Sequence, residues 1–145
     1  MLNRRSFVAA TLAVAATPTV AQNAPWPSKP IKLVVPYAPG GTTDVVARMI
    51  AEHLGQKLGQ NIIVDNKPGK GAMVGTSIVA KAAPDGYTLL MSVISGLSIS
   101  PTLYGGADFD PMGDFMHVSI ASTNPSVLVA NPNFQPKTFK EFIAY

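Results

Sequence analysis

The chain has 145 residues, 47% of them hydrophobic, with eleven basic and eight acidic side chains, a net charge of +3 and no cysteine. That length and apolar content allow a domain with a real core, while the missing cysteines exclude a disulfide framework, thiolate metal ligation and a lipidated cysteine anchor. The lysines are scattered among the acids with no basic stripe or interleaved aromatics, which excludes nucleic acid as the expected partner.

The N-terminus reads positive, then apolar, then small. Arg4 and Arg5 stand in an acid-free start, Val8 to Ala16 is alanine-rich and apolar, and Thr19-Val20-Ala21 offers small residues before a cut after Ala21. That order predicts a secretory signal peptide over 1–21, too short to span a bilayer, and export to the periplasm. Asn3-Arg4-Arg5-Ser6-Phe7-Val8 also suits a twin-arginine leader, so the Sec and twin-arginine routes both stay open. Removing the leader takes two of the basic residues with it and leaves a net charge of +1.

After the stiff lead-in Trp26-Pro27-Ser28-Lys29-Pro30, Ile31 to Val35 is a near-continuous β-branched run, the pattern of a strand buried on both faces. Residues 37–44 turn the chain into a helix whose apolar face is predicted from Val46, Met49, Ile50, His53, Leu54 and Leu58, ended by Gly59. Asn61 to Asn66 predicts a second strand, 67–71 a turn, Ala72 to Ala83 a second helix and Tyr87 to Val93 a third strand. Residues 92–100 read as a small, polar loop, and Met116–Ala121 and Ser126–Ala130 as two further strands. Thr138 and Glu141 form a capping box for a last helix that stops after two turns, so the chain is expected to be truncated. Short alternation of strand and helix predicts an α/β fold with a mostly parallel sheet, ligands beyond the carboxyl ends of the strands, and the loops 37–44, 67–71 and 92–100 on one rim.

The stretch Pro36-Tyr37-Ala38-Pro39-Gly40-Gly41-Thr42-Thr43-Asp44 carries the most chemistry. Paired glycines let the backbone approach a ligand, the following helix start offers unpaired N–H groups to an anion, and Thr42 and Thr43 add hydroxyls. Asp44 would repel an anion, so it is expected to cap the helix or to accept from an amine or a hydroxyl. A plain tight turn with an N-cap fits these residues equally well. Gly69-Lys70-Gly71-Ala72-Met73-Val74-Gly75 lies between a strand and a helix, the context of a dinucleotide fingerprint, but its spacing is G-x-G-x-x-x-G and the next strand ends without an acid. His53 reads as a core histidine and His117 has no serine in an elbow context; no His/Asp/Glu cluster has metal-ligand spacing. No catalytic residue, metal or cofactor is expected.

Taken in order, Trp26 to Asp44, Asp65-Asn66-Lys67-Pro68-Gly69, Ala80-Lys81-Ala82-Ala83-Pro84-Asp85-Gly86-Tyr87-Thr88-Leu89-Leu90 and Phe109-Asp110-Pro111-Met112-Gly113-Asp114-Phe115 resemble stretches of Bug-type proteins, the substrate-binding proteins of tripartite tricarboxylate transporters. The resemblance implies a two-lobed periplasmic binding fold of type II that closes over a small carboxylate: a di- or tricarboxylate, an acidic amino acid or an aromatic acid. It implies membrane transporter subunits as partners, a monomeric state and no enzymatic step. It divides the chain into a first lobe over 22–125 and the start of a second over 126–145, with a pocket from Tyr37, Ala38, Gly40, Gly41, Thr42, Thr43, Asp44, Ser92, Ser95 and Asn124. Lys70-Gly71-Ala72-Met73 and Ser95-Gly96-Leu97-Ser98-Ile99-Ser100 depart from the usual family pattern and leave the ligand open. The competing readings are a fragment of a nucleotide-dependent α/β oxidoreductase, resting on the 69–75 glycines, and a non-functional truncated gene product.

Overall fold

The structure, a computed structural model, describes residues 25–145; the expected signal peptide over 1–21 lies outside the described residues. The apolar run forms β1 (Ile31–Val35), with Ile31, Leu33, Val34 and Val35 all buried, as a strand covered on both faces requires. It is the middle strand of a three-stranded parallel sheet, between β2 (Ile62–Asn66) and β3 (Thr88–Leu90). Ile31 stands opposite Ile62, and Lys32 opposite Thr88. β3 is shorter than the run Tyr87 to Val93. The Tyr87 carbonyl and the Met91 N–H still bond to β1, at 2.8 and 2.9 Å, before the chain leaves the sheet.

Helix α1 (Thr42–Leu58) ends where expected, at Gly59 in the left-handed conformation with φ 65°. Its buried face differs from the predicted one. Asp44, Ala47 and Ala51 point inward, while Met49 is 59% exposed and His53 is exposed, bonding back to the Met49 carbonyl at 2.9 Å. The reason is distance. Alanines let the helix lie close on Leu33 and Val35, and Tyr37, Ile62, Val64, Leu89 and Met91 close the cluster around them. Of the predicted face, Val46, Ile50 and Leu58 are half-buried beside these alanines, while Met49, His53 and Leu54 are exposed. Ranking by side-chain size thus finds only part of the stripe, and His53 is not a core histidine.

Helix α2 (Met73–Ala80) is shorter at both ends than Ala72 to Ala83. It follows a tight turn in which Lys70, Gly71 and Ala72 all have positive φ, at 45°, 62° and 76°. It packs on β1 and β3. Gly75 makes that approach possible: a Cβ there would lie 2.8 Å from the Pro36 Cβ and 2.9 Å from the Lys67 carbonyl oxygen. Beyond β3 the expected loop over 92–100 is helical. A π-helical turn, Ser95–Ile99, runs directly into α3 (Ser100–Tyr104), with the Ser100 N–H bonded to the Ser95 carbonyl and Pro101 in the first turn of α3.

The chain divides into two compact units, one ending at Phe115 and the other Met116–Tyr145. In the second unit the strands expected over 116–121 and 126–130 do not form. Met116, Val118 and Ile120 alternate as a strand would, but no neighbouring strand covers them and all three are exposed. Helix α4 (Phe139–Ala144) is capped by Thr138, whose Oγ1 accepts from the Glu141 N–H at 3.2 Å. The Glu141 carboxylate accepts from the Lys137 N–H, one residue before the expected position. Phe134 packs edge-on against Tyr145. Among the described residues, no helix is long and apolar enough to cross a membrane.

Candidate functional site

All three strands are parallel, so the segments that follow them leave from one edge of the sheet. After β1 the chain turns toward β2 on one side; after β3, on the other side of β1, it runs into the π-helical turn. Neighbouring strands whose continuations diverge open a crevice at their carboxyl ends, where α/β sheets hold ligands. Here the crevice brings together residues far apart in sequence. The Tyr37 hydroxyl lies 3.2 Å from Ser95 Oγ, and both side chains are half-buried. Gly96 lets the π-helical turn come this close: a Cβ on it would stand 2.9 Å from Ser92 Oγ and from the Ala72 Cβ, and 3.2 Å from the Tyr37 hydroxyl. Ser92 itself is half-buried, with its Oγ directed to the Val93 carbonyl at 3.3 Å.

Ala38, Gly40, Gly41 and Thr42 line the same rim and are exposed, while Thr43 is half-buried. Gly41 is the N-cap of α1 and supplies no side-chain acceptor, so the first-turn N–H groups and the positive end of a 17-residue helix face the rim uncapped. Such a terminus suits a carboxylate. Asn124 belongs to the second unit, where it is exposed.

Asp44 has a different place from the one expected. It is neither the N-cap nor open to a ligand: it sits in the first turn, 2% exposed, turned into the fold. Its Oδ2 accepts from the Gly40 N–H at 2.9 Å and from Arg48 Nε at 3.0 Å, and its Oδ1 accepts from Asn66 Nδ2 at 2.9 Å. Those three donors, Arg48 first, hold its pKa down to about 2. Because the folded value lies below the ordinary one, the stabilisation is fully present above about pH 4 and disappears as pH falls through about 2. The chemical shift of the Gly40 amide proton is therefore expected to hold steady from pH 7 to pH 4 and to titrate below that. A midpoint near 4 would show that the carboxylate is not held as described.

Arg48, Asn66 and Gly96 were not singled out from the sequence. Arg48 lies four residues after Asp44, the spacing of a helical ion pair, and that signal was available. Asn66 and Gly96 carry none that a single sequence reveals. The 69–75 glycines do not shape a nucleotide site. A Cβ on Gly71 would come within 2.6 Å of Ser100 Oγ, and Gly75 is closed by Pro36, so protein atoms occupy the space a pyrophosphate needs. Among the described residues no group of three His, Asp or Glu side chains can hold a metal. An open groove of about 720 Å³ runs between α1 and β2, lined by Arg48, Glu52, Gln56, Asn61 and Ile63; it carries no hydroxyl and lies away from the carboxyl ends of the strands.

Residues 46–145 match the family model described as the tripartite tricarboxylate transporter family receptor, TctC. Among curated proteins, one from Bordetella pertussis assigned to the UPF0065 group is 38% identical over 136 residues, covering 94% of this chain and 42% of its own. BugT of the same organism is 40% identical over 124 residues, covering 82% of this chain and 37% of its own. This chain thus spans about two fifths of the length of those relatives. Among solved structures, MatC from Rhodopseudomonas palustris with bound malate superposes on 83% of this chain and 41% of its own, with a TM-score of 0.73 at 36% identity. A periplasmic transporter covers 60% of this chain and 29% of its own, with a TM-score of 0.58 at 42% identity. The fold is α/β, of the kind carried by periplasmic binding proteins, and the chain belongs to the tripartite tricarboxylate transporter receptor family.

Proposed function

We propose that this chain supplies the strand-end rim of a periplasmic solute-binding receptor, which captures a small carboxylate for the membrane subunits of a tripartite tricarboxylate transporter and performs no chemical step. In this reading residues 22–125 belong to the first lobe and 126–145 open the second. The observation that carries it is the 3.2 Å contact between the Tyr37 hydroxyl and Ser95 Oγ, which sets two hydroxyls beside the uncapped start of α1. Hydroxyls and helix N–H groups donate to a carboxylate without neutralising it, which suits a ligand that must be released again. Tyr37, Ser92, Ser95, Gly40, Gly41, Thr42 and Thr43 form this face of the site, and Asp44 supports it from beneath. Malate bound to MatC, the related structure, supports a small dicarboxylate, with tricarboxylates, acidic amino acids and aromatic acids as the wider class.

Calorimetry and thermal melts with malate, citrate, glutamate and benzoate, beside NAD and NADP, test the proposal. A carboxylate at a hundred times its Kd is expected to stabilise the protein by roughly 2.7 kcal/mol. A shift with NADP and none with any carboxylate overturns it.

A further inference from the structure

We infer that Asn66, Asp44 and Arg48 are positioning residues for the candidate site, a polar knot that holds the loop from Tyr37 to Gly41 in place. The inference rests on the proposed carboxylate reading for its effect on binding, and on geometry alone for its effect on the loop. Asn66 ends β2, and its side-chain amide is fully used. Nδ2 donates to the Tyr37 carbonyl at 3.1 Å and to Asp44 Oδ1 at 2.9 Å, while Oδ1 accepts from Arg48 Nη2 at 3.1 Å. Asp44 then takes the Gly40 N–H. The loop is thereby tied at Tyr37, which also packs on the hydrophobic cluster, and at Gly40, and Ala38 and Pro39 between them are exposed.

Each member has a shape that its nearest substitute lacks. Aspartate at 66 offers no N–H and would place a second carboxylate against Asp44. Arg48 reaches Asp44 with Nε and Asn66 with Nη2, two partners on one planar fork, which a lysine ammonium cannot reproduce. The hydrophobic cluster of Leu33, Val35, Ala47 and Ala51 contains none of the three, and the Arg48 side chain is 54% exposed. Loosening the knot should therefore free the loop and leave the sheet standing.

The test is hydrogen exchange on the 145-residue chain and on its N66D and R48K variants, with malate affinity measured by calorimetry. The Gly40 amide reports the loop; the Lys32 and Met91 amides, bonded to the Tyr87 and Val34 carbonyls, report the sheet. In N66D the Gly40 amide is expected to exchange about tenfold faster, with Lys32 and Met91 within about twofold of wild type and malate bound about tenfold more weakly. In R48K the same pattern should appear at about threefold, and this variant decides the matter if N66D does not fold. An unchanged Gly40 amide overturns the inference, as does equal acceleration of all three amides, which marks general destabilisation. Gly40 acceleration with an unaltered malate Kd also overturns it, because the loop would then move without consequence. If Gly40 alone accelerates while the wild-type chain does not bind malate, the loop-fixing role stands and the malate reading falls.

Discussion

Gly75→Val is expected to lower the stability of the protein by about 3 kcal/mol or more, the upper range for overpacking a well-filled contact. The first added carbon would already stand 2.8 Å from the Pro36 Cβ, 2.9 Å from the Lys67 oxygen and 3.0 Å from the Pro36 Cα. Two of those three atoms are backbone, at the carboxyl ends of β1 and β2, so no side chain can swing aside. Either α2 lifts off β1 or the ends of both strands move. Because Pro36 precedes Tyr37, the second outcome also displaces the hydroxyl that meets Ser95. Urea denaturation followed by circular dichroism measures the loss. A change below about 1 kcal/mol would mean that the helix is not seated on Pro36 as described.

The second large effect is expected from Leu33→Ala, which should cost about 2–5 kcal/mol. Leu33 is 6% exposed at the centre of the middle strand, facing Val35, Ala47 and Ala51. The alanines of α1 have no longer side chain with which to fill the gap, so relaxation will be small and the cost should fall in the upper half of that range. Against a total stability of about 5–15 kcal/mol for an ordinary domain, either substitution removes a large share. Equilibrium unfolding of L33A beside wild type gives the number. A loss below about 1 kcal/mol would place Leu33 outside the core.

Much of the first unit was legible in the sequence because its cues are local. The run Ile31 to Val35, the stop at Gly59 and the two strands after it depend on neighbours a few residues away. The parallel class followed from the alternation of those elements, and the family from ordered stretches such as Asp65 to Gly69. What could not be read depends on contacts between distant residues. Ala47 and Ala51 became the buried stripe because the sheet lies near enough to exclude larger side chains. Residues 92–100 look like a polar loop, yet their serines and glycine pack as helix against Ala72 and Tyr37. Met116 to Ala121 has the alternation of a strand, and a strand needs a partner that local pattern cannot supply. In the candidate site, the family resemblance implies Tyr37 and Ser95 as members of one pocket, without their contact. The knot beneath them was not legible, because an asparagine at a strand end carries no pattern of its own.

The strand order has a consequence for how this chain reaches its folded form. Among the described residues no two strands are joined by a hairpin: β1 meets its partners 31 positions later in β2 and 56 positions later in β3. The strand with the most buried side chains leaves the ribosome first and has nothing to pair with until Ile62 has emerged, and it is complete only after Leu90. Closing loops of that length must precede any contact that rewards it, which places the chain among slow folders for its size. During synthesis, Ile31, Val34 and Val35 therefore stay uncovered for the time it takes to make some fifty residues, several seconds at about 5–20 residues per second. That interval is when a chaperone would find this chain.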